Sequence, residues 1–199
     1  MSGSTLQGPG KQYDSPDRDL GGISIGSHVA YIFVDSAEKQ QRLFQLVSDS
    51  LQDPSAAVLY IAGKQGVKGI RFSMKDYGID VGAIERQRKI RIVDSDEWYL
   101  VSGKTSSFKP IGKIRDQFSE FAEYEQKAGY YYLTIISETD SVVRKGFFEQ
   151  YRELETELGR KLALFRAIFV CAYDERELSA KGLPDARSDL TSLHSSILE

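Results

Sequence analysis

The run Val29-Ala30-Tyr31-Ile32-Phe33-Val34 is apolar, β-branched or aromatic at every position, and it passes directly into Asp35 and a helical pattern. A strand with no polar alternation has to be covered on both faces, which is the situation of strands in a parallel, helix-covered sheet. Asp35 reads as the N-cap of the next helix, with Glu38 three residues on to close a capping box. Leu43, Val47 and Leu51, flanked by Phe44 and Leu46, form that helix's apolar stripe, which ends near Asp53-Pro54.

The same order recurs along the chain. Strands are expected at 29–34, 57–62, 89–94, 130–137 and 166–173. A short helix fits 67–77, closed by Gly78, and a long one fits 110–128, with Ile111, Ile114, Phe118 and Phe121 on one face and Gly129 as its stop. Phe147, Tyr151, Leu154 and Leu158 make another helix face, and a weak helix spans 186–197. Alternation of this kind predicts an α/β fold, a three-layer sandwich with a mostly parallel central sheet. Right-handed crossovers then bring the loops beginning at Asp35, Gly63, Asp94, Glu138 and Asp174 to the carboxyl edge of the sheet, where a binding site is expected.

Residues 1–27 differ from the rest. They hold six of the 17 glycines, Pro9 and Pro16, and only Leu6, Leu20, Ile23 and Ile25 as aliphatics. Such a segment buries too little to offset its ordering entropy, so a flexible tail over 1–27 and a single domain over 28–199 are expected. The single cysteine, Cys171, excludes an internal disulfide and any paired-cysteine zinc or redox site. No apolar run is long enough for a membrane span and no signal-peptide core follows Met1, so a cytoplasmic protein without a membrane partner is expected. With 26 basic and 29 acidic residues, and a net charge of −3, no general positive field favours nucleic acid.

The motifs exclude more than they assign. The turn Asp35-Ser36-Ala37-Glu38-Lys39-Gln40 has no glycine and two carboxylates, so it cannot wrap a phosphate as a Walker loop does. Gly103-Lys104-Thr105 resembles the end of such a loop, but Trp98 stands where its first glycine belongs. No Gly-x-Ser-x-Gly elbow, with its serine on a turn from strand into helix, is expected. Cys171, inside Ile168-Phe169-Val170-Cys171-Ala172, reads as a small buried hydrophobe, and His28 and His194 read as structural. Asp94-Ser95-Asp96-Glu97 and Ser137-Glu138-Thr139-Asp140 follow strands, where carboxylates cap helices or orient a ligand. Trp98, Tyr99, Tyr130, Tyr131 and Tyr132 are expected near those tips as apolar walls for a small organic ligand. No metal ion and no cofactor are expected.

Taken in order, several short words resemble the MEDS domain, the sensory domain of methanogen and methylotroph regulators of the DcmR type. They are Gly26-Ser27-His28-Val29-Ala30-Tyr31, Val58-Leu59-Tyr60-Ile61, Tyr77-Gly78-Ile79-Asp80-Val81, Ile90-Arg91-Ile92 with Trp98-Tyr99, Ala128-Gly129-Tyr130, Glu138, Leu154-Glu155, Val170-Cys171-Ala172-Tyr173-Asp174 and His194. The resemblance implies a RecA/KaiC-like fold without a working phosphate loop, and a non-catalytic domain that senses simple hydrocarbon derivatives. It selects His28, Tyr99, Glu138 and Cys171 as ligand-binding residues. The partners it implies are a small organic ligand and a signalling protein. Side-by-side assembly into a homo-oligomer is open by analogy with RecA relatives. His194 is followed by Ser195 where the family tends to have proline. No helix-turn-helix or kinase signature lies outside the expected fold, so a stand-alone sensor is expected. An interaction adaptor on the same fold and a divergent ATPase stay open as alternatives.

Overall fold

The computed structural model describes residues 19–20, 23–103, 106–183 and 186–198. In chain order the elements are β1 (Asp19–Leu20), β2 (Ile23–Ser24), β3 (His28–Phe33), α1 (Ser36–Gln52), β4 (Ala56–Ala62), α2 (Gly66–Asp76), α3 (Val81–Arg86), β5 (Ile90–Asp94) and α4 (Ser95–Tyr99). There follow β6 (Leu100–Val101), β7 (Ser107–Phe108), α5 (Ile111–Lys127), β8 (Tyr132–Glu138), α6 (Asp140–Arg144), α7 (Phe148–Gly159), α8 (Leu162–Phe165), β9 (Ala167–Asp174), α9 (Glu175–Ala180), α10 (Ala186–Leu193) and β10 (Ser196–Leu198).

Six strands pair in the order β10-β3-β9-β8-β4-β5, all parallel. Side chains alternate between the two faces of each strand. Val29, Tyr31 and Phe33 meet Leu43, Phe44 and Val47 of α1 and Ile70 and Met74 of α2. Ala30 and Ile32 share the opposite face with Ile114, Phe118 and Phe121 of α5 and Tyr151, Leu154 and Leu158 of α7. This is the expected three-layer sandwich. Full burial of each such Leu, Ile or Phe stabilises it by about 1.5–3 kcal/mol. The Asp35 carboxylate caps α1, accepting from the backbone N–H of Ala37 at 2.8 Å and of Glu38 at 2.9 Å.

The five anticipated strands are present with ends shifted by one or two residues. The chain's last residues differ: α10 stops at Leu193 and 196–198 form a sixth strand on the edge beside β3. Three residues are too few to display a period of two. What holds this strand is Ser195, whose N–H and Oγ–H both donate to the His28 carbonyl at 2.7 Å while its Oγ accepts from the His28 N–H at 3.0 Å. Residues 1–18 and 21–22 of the anticipated tail lie outside the described residues. Within the same stretch, Ile23 is buried in the α1-side core and Ile25 packs on it. Among the described residues no helix is long and apolar enough to cross a membrane.

Candidate functional site

On the α7 side of the sheet a chain of polar side chains runs through the core. β8 places Ser137 there, β9 places Cys171 and Tyr173, and α7 faces them with Tyr151 and Glu155, one helical turn apart. The Tyr99 hydroxyl lies 2.8 Å from Ser137 Oγ, to which the Tyr151 hydroxyl donates at 3.0 Å. The Tyr151 hydroxyl is also 3.5 Å from Cys171 Sγ, and Sγ is 3.5 Å from His28 Nε2. Glu155 Oε1 closes the chain: it is 3.7 Å from His28 Nε2 and 3.2 Å from His194 Nε2, and it accepts a hydrogen bond from Tyr173. The His28 ring stacks on Phe169 and its centroid lies 4.0 Å from that of His194. All of these polar side chains are buried.

Burial governs the charge of this cluster. Desolvation, followed by the neighbouring His194, lowers His28 to about 4, so its imidazole is neutral. Burial alone would raise Glu155, but the hydrogen bond and charge of His194, followed by His28, hold its carboxyl below the ordinary value. Burial, and next the Glu155 charge, push the Cys171 thiol well up; Tyr151 and Tyr173 are raised chiefly by burial as well. The centre is thus one carboxylate amid imidazoles, a thiol and phenols. It can hold a cation, a proton or the polar end of a small molecule.

Glu138 sits elsewhere. It shares β8 with Ser137 but points to the opposite face, where Oε1 accepts from Tyr60 Oη at 2.5 Å and Oε2 accepts from the Gly63 N–H at 3.1 Å. Lys39 Nζ of α1 lies 3.2 Å from Oε2, with both side chains almost inaccessible. Beside them the Lys64 N–H donates to Asp140. A cavity opens to this edge between Phe33, Lys39, Gln40, Lys64, Asp140 and Arg176.

Of the four residues singled out in the sequence, the structure brings His28, Tyr99 and Cys171 into one hydrogen-bonded chain and puts Glu138 in a separate cluster across the sheet. Tyr99 follows β5 at the carboxyl edge, whereas His28 opens β3 at the amino edge, so the chain crosses the sheet face and does not line one rim. The expected wall of aromatics divides for the same reason. Trp98 and Tyr99 are at the carboxyl edge, while Tyr130, Tyr131 and Tyr132 precede or open β8 at the other, with the Tyr130 hydroxyl bonded to the Gln87 carbonyl. Lys104 and Thr105 lie outside the described residues.

Sequence reasoning passed over Glu155, Tyr151, Tyr173 and Ser137 as contributors and took His194 as structural. One signal was available for Glu155. It stands four residues after Tyr151 on a helix whose apolar stripe faces the sheet, so a carboxylate there had to be buried.

Residues 27–189 match the family model described as MEDS, the MEthanogen/methylotroph, DcmR Sensory domain. No curated protein matches the chain. Among solved structures it is similar to the KaiC-like protein PH0186 from the hyperthermophilic archaeon Pyrococcus horikoshii OT3. The TM-score is 0.55 at 17% identity, over 77% of this chain and 63% of that one, so the described sandwich is a KaiC-like RecA fold spanning less than two thirds of that protein.

Proposed function

The chain belongs to the MEDS family of sensory domains, and on that premise we propose that it is a non-catalytic signal-transduction domain that senses a small organic molecule, a simple hydrocarbon derivative, through the polar chain from Tyr99 to His194. The observation that carries this reading is the full burial of an ionisable cluster, His28, Glu155, Cys171 and His194, between sheet and helices. Buried charge is costly, and a fold needing only stability is served as well or better by apolar side chains at such positions. Strongly perturbed groups held together in one place are the usual mark of a functional centre.

The surroundings suit a small, mostly apolar ligand with one polar end. Phe118, Phe169 and Leu154 supply apolar wall near the cluster, and His28, Tyr151 and Cys171 supply polar atoms. His194 enters from the C-terminal segment that Ser195 fastens to β3. Occupancy of the cluster would alter how that segment seats, which gives a signalling partner something to read. ATP hydrolysis is not part of this reading. The first amides of α1 are taken by the Asp35 carboxylate, and Lys39 is paired with Glu138.

A thermal-shift screen of small alcohols, aldehydes, amines and halogenated hydrocarbons, with Mg-ATP alongside, tests the proposal, since a ligand bound only by the native state raises its midpoint. At least one organic compound should stabilise the wild type and lose that effect in His28→Ala, with no ATP turnover above a blank. ATP turnover abolished by Lys39→Ala would overturn it.

A further inference from the structure

We propose that His28, Glu155, Cys171 and His194 are the four ligands of a divalent transition-metal site, with Zn²⁺ as the matching ion. The inference rests on the sensory reading of the same cluster in taking the metal as the part of the site that meets the ligand, but it is carried by coordination geometry of its own.

The four potential donor atoms lie within 4.8 Å of one another. A tetrahedral ion with metal–nitrogen bonds near 2.0–2.1 Å and a metal–sulfur bond near 2.3 Å separates its donors by roughly 3.3–3.6 Å. The edges found are 3.5 Å from His28 Nε2 to Cys171 Sγ, 3.2 Å from His194 Nε2 to Glu155 Oε1, and 3.7 Å from His28 Nε2 to Glu155 Oε1. Three of the six edges thus lie close to tetrahedral values, and the other three are bounded by 4.8 Å, so the corners are gathered and closing the polyhedron draws them inward.

Hydrogen bonding around His194 adds an independent reason. Its Nδ1 lies 2.8 Å from the Leu190 carbonyl, which can only accept, so Nδ1 carries the proton. The other ring nitrogen, Nε2, is thereby aimed at Glu155, 3.2 Å from Oε1. A backbone carbonyl that fixes the ring through its other nitrogen is also the usual outer-sphere support of a metal-bound histidine. The second oxygen of Glu155, Oε2, is buried with no hydrogen-bond partner among the described residues, and Tyr173 orients the carboxylate through Oε1.

The donor set selects the ion. Two imidazoles, a thiolate and one carboxylate suit zinc and its neighbours, whereas magnesium and calcium take oxygen ligands. As the metal–sulfur bond forms, the Cys171 thiol releases its proton to solvent. The thiolate and carboxylate then balance the 2+ charge of the ion, so a neutral centre is what remains buried. Its ligands come from β3, α7, β9 and the residue that joins α10 to β10. Coordination would thus pin the C-terminal segment to the sheet.

Cobalt provides the test. The purified full chain, stripped with chelator and titrated with Co²⁺, should bind one equivalent. It should show the intense visible bands of a tetrahedral ion and a near-ultraviolet thiolate-to-cobalt band, and Zn²⁺ should bleach both. Cys171→Ser, close in shape, should fold with an unchanged circular dichroism spectrum and lose the thiolate band. His194→Ala should weaken Zn²⁺ binding by more than the roughly 10–100-fold typical of changes outside a ligand set. Bands that form although no organic compound stabilises the protein would support the metal site and count against sensing. Absence of stoichiometric bands in folded protein, or bands unchanged in both variants, would overturn the metal site. An organic-ligand response that persists in metal-free protein would then leave sensing standing.

Discussion

Replacing Lys39 with methionine isolates the charge pair on the α1 side of the sheet. Methionine keeps most of the stem that packs near Phe33 and removes only the ammonium group. The Glu138 carboxylate, 1% exposed, would then face the core without its cation. Breaking a buried pair from one side costs about 3–5 kcal/mol, because the remaining charge is left uncompensated. Glu138 keeps two donors, the Tyr60 hydroxyl and the Gly63 N–H, so the loss should fall at the low end, about 3 kcal/mol. In a chain of 199 residues that corresponds to a fall in Tm of roughly 6–12 °C. Glu138→Gln strands Lys39 instead, but a lysine in the first turn of α1, beside the open cavity, can reach toward solvent, so about 2 kcal/mol is expected. The double variant removes both charges and should cost much less than the sum, with a coupling of about 2 kcal/mol. Urea unfolding followed by Trp98 fluorescence and by circular dichroism measures all four proteins, with coincident transitions as the two-state check. A Lys39→Met protein within about 1 kcal/mol of wild type, or strictly additive losses, would refute the assignment of Lys39 to an internal pair and return it to the solvent-facing cavity as a free cation.

Three further outcomes are expected. At Gly63 a Cβ would fall 1.9 Å from Asp140 Oδ1, so Gly63→Ala should destabilise by about 1–3 kcal/mol in the same unfolding assay and recover in part when combined with Asp140→Ala. Cys171 has no exposed surface and a thiol raised by burial, so native protein should react with a thiol reagent orders of magnitude more slowly than unfolded protein; rapid native labelling would mean that the cluster opens readily. Ile23, 5% exposed in the α1-side core, should cost about 2–4 kcal/mol on truncation to alanine, and an effect within about 0.5 kcal/mol would place the start of the folded unit after it, near His28.

How much of this was legible in the sequence depended on whether a feature is local. The strands at 56–62 and 167–173 announce themselves as continuous apolar runs, and the cap at Asp35 needs only the three residues after it. β10 could not be seen because three residues carry no period and the contacts that hold it belong to Ser195 and His28, separated by 167 positions. The site divides in the same way. His28, Tyr99 and Cys171 were found through ordered family words, yet whether they meet depends on β3 and β9 being neighbours and on α7 crossing above them. Glu138 went astray by the parity of one strand: its neighbour Ser137 points to the cluster, so Glu138 must point away.

The two buried polar groups on either side of the sheet differ in a way that separates scaffold from site. Around Glu138 both oxygens have donors and the charge has a partner, so that cluster is complete as it stands. Around Glu155, Oε1 is approached by Tyr173 and both histidines, while Oε2 has no hydrogen-bond partner among the described residues. An unmet buried polar atom costs about 1–3 kcal/mol. Stability alone gives no reason to keep that cost, since an apolar side chain in the same place would remove it. A cluster that is fully satisfied from within has no room for a further chemical partner. One that keeps a carboxylate oxygen without a partner at a fixed position, with imidazole and sulfur around it, leaves a place for one.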